Sequence, residues 1–193
     1  MATSFPTDAA SVGVSDHWGW AVLVTVGPEG AVLDRRRVEL VGAGLPKYPY
    51  HHDAQQLPLD EAEALIERVA RSAAECAGAC LAALAASVPV PIATIALRIS
   101  PVLPATVAER ISNYQAQNVA DSVLYRDALA QAAAARGWSV HSFDARNVAS
   151  RAASALGRKS IQELVERTGA ALGPPWQKDH KLAMAAALAA RAS

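Results

Sequence analysis

Apolar and polar residues alternate in two different patterns along this chain, and the change between them predicts the order of its elements. Short runs rich in valine and leucine at residues 12–15, 20–26 and 31–41 have the composition of β-strands. The turn Gly27-Pro28-Glu29-Gly30 separates the second run from the third and predicts an antiparallel hairpin. The chain is therefore expected to begin with three meandering strands.

Helical spacing dominates the rest of the sequence. An apolar stripe predicts a helix after residue 59; it comprises Leu65, Val69, Ala73, Cys76, Cys80 and Leu84. Three pairs have the spacing of helix-capping boxes: Asp60 with Glu63, Thr106 with Glu109, and Ser160 with Glu163. The apolar run 92–99 predicts a buried central strand, and residues 138–143 predict another strand. The order β-β-β-α-β-α-β-α favours a mixed sheet with helices on both faces.

Composition limits the classes of function. The chain has 193 residues with 18 basic and 18 acidic side chains, so nucleic acid would have to bind to a local patch rather than to a global field. The two cysteines, Cys76 and Cys80, are expected to be reduced core thiols on one helix face. We find neither a signal sequence nor an apolar stretch of membrane-spanning length, so we expect a cytoplasmic protein that does not contact membranes. Residues 1–10 are expected to form a flexible leader and residues 11–193 a single domain.

Polar residues occur at two places where a strand and a helix would meet. Asp16 and His17 lie in a turn between two apolar strands near the start of the chain. Asp179 and His180 lie on the first turn of an alanine-rich helix near its end. Carboxylates and imidazoles that converge in this way are able to bind a divalent metal ion.

The sequence resembles the RuvC resolvase branch of the RNase H-like superfamily. The segment Gly13-Val14-Ser15-Asp16 followed by Gly19-Trp20-Ala21-Val22 is similar to the opening hairpin of that family. Near the other end, Arg146-Asn147-Val148, Gly157-Arg158-Lys159 and the helix from Asp179 to Ala185 are similar to its C-terminal third. The resemblance implies an α/β fold of RNase H-like, RuvC type: a mixed five-stranded sheet whose first three strands are antiparallel, with helices on both faces. It also implies a two-metal nuclease that uses Mg²⁺ or Mn²⁺.

Several acids of the family pattern are replaced in this chain. Ser15 occupies the position of the first acid, and the nearest carboxylate is one residue later at Asp16. Arg98 lies near the position of the glutamate in the middle of the sheet. At the last helix, Gln177 and His180 match the two acids of the family. If Arg98 lies in the middle of the cleft, we expect it to pair with Asp16 or Asp179 and to compete with a metal ion.

On the nuclease hypothesis, Asp16, Asp179 and His180 hold the metal, and Asp144 joins them as a catalytic residue. We then expect the Asp16 and Asp179 carboxylates to lie about 4–7 Å apart. The alternative is structural: Asp16 stabilises the strand turn, Asp179 caps the last helix, and Asp144 caps the helix near Arg146.

Two further groups of residues are candidates for a site. His141 and Asp144, at the end of the last strand, could join His17 and His180 in a site for Mn²⁺ or Zn²⁺; alternatively, His141 is a surface strand residue. His51 and His52 lie in a loop with several prolines, where they could contact a nucleic acid or be packed at the surface.

The cations of the predicted cleft are Lys159, Lys178 and Arg146, which are candidates for contacts with phosphate. Two functions therefore remain open from the sequence. The first is a metal-dependent nuclease that acts on branched or structured DNA or RNA. The second is a catalytically degenerate module that binds nucleic acid or a protein partner. A homodimer is compatible with either.

Overall fold

A computed structural model describes residues 8–191. Its core is a five-stranded mixed sheet with the strand order β3-β2-β1-β4-β5. The strands are β1 (Ala10–His17), β2 (Trp20–Val26), β3 (Val32–Glu39), β4 (Ile92–Arg98) and β5 (Ser139–Phe143). The first three are antiparallel neighbours, whereas β4 runs parallel to both β1 and β5. The predicted α/β fold class is confirmed.

Helices cover both faces of the sheet. They are α1 (Leu59–Ser87), α2 (Val107–Ser112), α3 (Tyr114–Ala134), α4 (Val148–Ala155), α5 (Gln162–Leu172) and α6 (Lys178–Ala190). Apolar residues of α1 and α3 share one core cluster with Val12 and Val14 of β1. Residues of α4, α5 and α6 form the core on the other face with Val22 and Val24 of β2. The two faces therefore carry different sets of side chains from each strand.

β1 and α6 are in close contact because the residues of β1 that face α6 are small. The Ser11 hydroxyl donates a hydrogen bond to the carbonyl oxygen of Ala187 over 2.8 Å. A Cβ atom placed on Gly13 would lie only 1.8 Å from the carbonyl oxygen of Ala183. The absence of a side chain at Gly13 thus lets the backbone of α6 approach the sheet.

Some helix starts were predicted correctly and others were not. Thr106 and Glu109 form the predicted capping box at α2, and Asn113 caps α3, so two helices lie between β4 and β5. The box predicted for Asp60 and Glu63 is wrong, because Pro58 occupies the N-cap of α1 and no side chain caps it. The helix expected near Arg146 begins at Val148, with Asn147 rather than Asp144 at its N-cap.

The apolar stripe of α1 differs slightly from the prediction. Ala77 and Leu81 are fully buried, whereas Cys76 and Cys80 are only partly buried. Both cysteines are free thiols, and burial raises the pKa of Cys80 to about 11. By length and composition α1 is also long and apolar enough to cross a membrane, contrary to our expectation, although a core helix meets the same criterion. Most of the predicted leader lies outside the described residues.

Candidate nucleic-acid interface and altered acid cluster

The candidate site lies where β1 and β4 end beside the first turn of α6. Ser15 and His17 of β1 point towards α6, and Asp16 between them points away, as the alternation of a strand requires. On β4, Arg98 is the last residue and pairs in register with Phe143, the last residue of β5. This edge, where neighbouring parallel strands end, is the usual place for a ligand in an open α/β sheet.

Asp16 is a buried carboxylate neutralised by arginine. Its Oδ2 accepts a hydrogen bond from Nε of Arg126 on α3 over 2.7 Å, and the two side chains are 2% and 9% exposed. Nε of Arg98 lies 3.8 Å from Oδ1 of the same carboxylate, which is an ion pair but not a hydrogen bond. The pairing expected for Arg98 is therefore present, with Asp16 as its partner.

Asp179 belongs to a different cluster from Asp16. Its Oδ1 accepts a hydrogen bond from the Ser15 hydroxyl over 2.7 Å and lies 2.9 Å from Nε2 of His17. Burial raises the pKa of Asp179, but the hydrogen bonds with Ser15 and His17 outweigh this effect and the pKa falls below its usual value. The structure therefore does not bring Asp16 and Asp179 together, and the metal ion predicted between them has no geometric support.

Stacking holds His17 in place beside Asp179. The imidazole lies 4.0 Å from the Trp20 ring, measured between centroids, and is tilted by only 6°. The guanidinium of Arg37 lies 4.1 Å from the centroid of a Trp20 ring. This arrangement aligns the imidazole with the carboxylate on the edge of the sheet.

His180 performs a local structural task. It is 8% exposed, and its Nδ1 accepts a hydrogen bond from the backbone N–H of Gln177 over 3.3 Å. Burial and the charge of Arg35 lower its pKa below the usual value. An Nδ1 that accepts this hydrogen bond ties His180 to the start of α6, and none of its described contacts reaches Asp16.

Asp144 and His141 lie apart from this cluster. Asp144 accepts hydrogen bonds from the Arg146 side chain and backbone, which lower its pKa, and it does not cap α4. His141 borders a small cavity with Arg151 and Ala190, beside the last turns of α6 rather than its first turn. The described contacts of His141 include neither His17 nor His180, so the structure gives no geometric support for a site that joins these three histidines.

The loop with His51 and His52 is anchored elsewhere. Asp121 of α3 accepts hydrogen bonds from the backbone N–H groups of Tyr50 and His51, over 2.8 and 3.2 Å. Burial raises the pKa of Asp121 to about 6. The His51 ring lies 6.2 Å from that of Tyr114, and His52 is exposed. Neither histidine borders the cleft described below.

Asp16, Asp179 and the side chains around them do not fit a two-metal centre. Such a centre needs several carboxylates about a pair of cations roughly 4 Å apart. Asp179 is one carboxylate with an imidazole beside it, and Asp16 is occupied by two arginines. Among residues 8–191, no group of three or more His, Cys, Asp or Glu side chains is arranged to hold a metal ion.

A basic cleft of about 840 Å³ opens beside this cluster, between α4, α5 and α6. Five cationic side chains line it: Arg98, Arg146, Lys159, Lys178 and Lys181. Glu166 is the single acid among its lining residues within the described part of the chain. The first turns of all three helices border it, which adds the positive ends of their dipoles.

Sequence reasoning identified Lys159, Lys178 and Arg146, and the structure places all three on this cleft. It missed Lys181 and Arg126. Lys181 follows Lys178 by one helical turn, a spacing that puts both on one face. Arg126 lies between the buried residues Tyr125 and Leu129. A cation in such a position needs a buried acid as partner, and that was the available signal.

Comparison with known proteins is informative only at the level of structure. No family model and no curated protein sequence matches the chain. A Thermus thermophilus RuvC in complex with a Holliday junction substrate has 14% sequence identity and a TM-score of 0.52, with 94% of this chain and 91% of that chain covered. Another T. thermophilus RuvC structure has 14% identity and a TM-score of 0.48, with 93% and 92% covered. The first of these likenesses shows a RuvC-like, RNase H-like fold.

Replacing Arg98 by glutamate tests whether the Arg98 guanidinium prevents a metal ion from binding to Asp16. We expect Arg98→Glu to create measurable Mn²⁺ affinity in calorimetric titration, because it removes one positive charge from Asp16 and adds a carboxylate. Arg98→Gln removes the positive charge without adding a carboxylate, so it should gain much less Mn²⁺ affinity than Arg98→Glu. A well-folded Arg98→Glu protein with unchanged Mn²⁺ affinity would contradict the role assigned to Arg98.

Proposed function

We propose that this protein is an RNase H-like module that binds nucleic acid and does not cleave it by metal catalysis. The proposal rests on the ion pairs that Arg98 and Arg126 form with the Asp16 carboxylate. A buried carboxylate with two guanidinium partners already has its charge compensated, so a divalent cation would have to displace them. The edge of the sheet thus presents cations where a two-metal nuclease presents acids.

The lysines of the basic cleft supply the attraction for phosphate. Among residues 8–191, the side chains of Lys159, Lys178 and Lys181 form no ion pair or hydrogen bond, and all three residues are exposed. Arg146, in contrast, is already paired with Asp144. Free ammonium groups on a concave surface release counterions from a nucleic acid when they bind its phosphates. The net charge of zero makes this local patch decisive.

Branched DNA is the ligand that the structural comparison favours. The RuvC chain with a TM-score of 0.52 was solved in complex with a Holliday junction. We propose that the present chain binds branched or structured DNA or RNA in the cytoplasm, as a monomer or homodimer, and without a Mg²⁺ or Mn²⁺ cofactor.

A metal-dependent nuclease is the second candidate, and one observation favours it. Asp179 has a lowered pKa and is partly exposed beside His17, so it is a carboxylate available at neutral pH. On that hypothesis Asp179 would hold Mg²⁺ or Mn²⁺ with His17, and Asp144, Asp16 and His180 would take no part at the observed positions. A single carboxylate makes this the weaker candidate.

Salt-dependent binding tests the proposed function. We expect wild-type protein to bind a four-way DNA junction in EDTA, with affinity that falls steeply between about 50 and 200 mM salt. In Lys159→Ala/Lys178→Ala the slope of log K against log salt should become shallower by about 2, since each phosphate contact contributes about 1. The measurement is fluorescence anisotropy over a salt series.

The matched control is Arg68→Ala/Arg167→Ala, which removes two exposed cations that do not line the cleft. Its salt slope should equal that of the wild type. Equal slopes for the two double variants, or no junction binding at low salt, would contradict the proposal.

A further inference from the structure

The basic cleft has an apolar floor that phosphate contacts alone do not explain. Val148, Ala153, Ile161 and Val165 are each less than 7% exposed and line it from α4, α5 and the segment between them. Leu182 and Ala185 of α6 complete the floor. A surface that only follows a phosphate backbone has no need of such a floor, because the backbone is anionic and solvated.

The polar groups lie around this floor rather than within it. Lys178 and Lys181 project from the first turn of α6, and Lys159 lies on the loop before α5. Ser160 and Gln162 are also exposed lining residues. The Ser160 hydroxyl accepts a hydrogen bond from the backbone N–H of Gln162 over 3.1 Å, and the Gln162 side-chain amide donates one to Glu166 over 3.0 Å. The Ser160 hydroxyl can still donate, and the Gln162 amide oxygen can still accept, at the edge of a base. The cleft therefore combines an apolar surface, hydrogen-bonding groups and cations within one concave space.

The dimensions match a small ligand. The volume of about 840 Å³ is within the range of about 300–1,000 Å³ that ligand pockets occupy. A stacked base pair in a duplex hides the faces of its bases and cannot reach the floor of such a cleft. A single unstacked nucleotide has an exposed apolar ring and an adjacent phosphate, which are the two features that the cleft complements.

We propose that the basic cleft binds one unstacked nucleotide, with the base on the floor formed by α4, α5 and α6 and the phosphate at Lys178 and Lys181. This ligand could be an unpaired nucleotide within a DNA or RNA strand or a free nucleotide. Binding of an unpaired nucleotide within a strand rests on the proposed function, whereas binding of a free nucleotide does not. In either case the binding is non-covalent and needs no metal ion.

Filling the cleft tests this proposal. Ala149 of α4 is exposed and lines the cleft, so Ala149→Trp should block it without disturbing the core. Ala170→Trp is the matched control, because Ala170 is exposed on α5 and lies outside the cleft. Circular dichroism and melting temperature should be the same for the two variants, which verifies that each is folded.

Three probes distinguish the sources of the ligand: a fully paired DNA duplex, the same duplex with one bulged 2-aminopurine, and free AMP. We expect the wild type and Ala170→Trp to bind the bulged duplex about tenfold more tightly than the paired one and to change its 2-aminopurine fluorescence. Ala149→Trp should lose both effects. Binding of AMP that Ala149→Trp abolishes, without a preference for the bulge, would assign the cleft to free nucleotides.

The proposal is overturned if the wild type shows neither a preference for the bulge nor binding of AMP, or if Ala149→Trp retains both. Failure of the proposed function has a different signature. In that case no oligonucleotide binds at low salt, while AMP binding remains and is sensitive to Ala149→Trp.

Discussion

Replacing Arg126 by methionine is expected to destabilise the protein by about 3–5 kcal/mol, because it leaves Asp16 charged and buried without its hydrogen-bonded partner. Methionine retains an apolar stem of similar length, so the loss reports the charge together with two longer hydrogen bonds, each of 3.4 Å, that Arg126 donates to the Ile99 carbonyl and the Ser100 hydroxyl. Arg98, at 3.8 Å from the other carboxylate oxygen, is too distant to replace the hydrogen bond. Urea unfolding monitored by circular dichroism measures the change in the free energy of unfolding.

A double-mutant cycle separates the ion pair from packing. Asp16→Asn/Arg126→Met should recover at least about half of the lost stability, since the uncompensated charge is then absent. Additive effects of the two single substitutions, or a cost of less than about 1 kcal/mol for Arg126→Met, would show that the pair does not neutralise a buried charge.

Replacing Gly13 by alanine should be comparably severe, for a steric reason. The new Cβ would meet backbone atoms at 1.8 Å from the carbonyl oxygen of Ala183 and 2.5 Å from the nitrogen of Ala187, so α6 would have to move away from β1. We expect a loss of about 3 kcal/mol or more, and a melting temperature lower by about 6–12 °C.

The matched control is Gly78→Ala. Gly78 lies within α1, and an added Cβ there meets no atom within 4 Å. Alanine favours a helix by up to about 1 kcal/mol over glycine, so this variant should melt at the same temperature or slightly higher. A Gly13→Ala protein as stable as the wild type would contradict the close contact between β1 and α6.

The strands could be predicted from the sequence because their signals are local. Valine-rich runs and the turn at Gly27 and Gly30 locate β2 and β3 almost to the residue. The capping box at Thr106 likewise depends on Glu109, three residues away. Such patterns need no knowledge of the tertiary structure.

The site was harder to predict because its partners are distant in the chain. Asp16 pairs with Arg126, which is 110 residues away, and the identity of such a partner has no local signature. The assignment of Asp16 to the same cluster as Asp179 was avoidable, however. Ser15 and Asp16 are adjacent in a strand and must point to opposite faces, so Asp16 could not take the place of an acid at Ser15.

The basic cleft was also only partly predictable from the sequence, because its lining residues are distant in the chain. Lys159, Lys178 and Arg146 were identified as cations near a cleft, but the apolar floor beneath them depends on how α4, α5 and α6 pack. Each apolar residue of the floor has an ordinary helical spacing. Only the arrangement of three helices turns these residues into a binding surface.

A cleavage assay with added metal tests the central claim most directly. Wild-type protein and Asp179→Asn are incubated with a four-way DNA junction and with single-stranded DNA, in Mn²⁺, Mg²⁺ or EDTA, and the strands are separated on denaturing gels. We expect no cleavage above the protein-free control in any metal, with junction affinity equal in Mn²⁺ and EDTA. Cleavage that depends on Mn²⁺, and that Asp179→Asn abolishes without lowering the melting temperature, would contradict the claim and establish the nuclease.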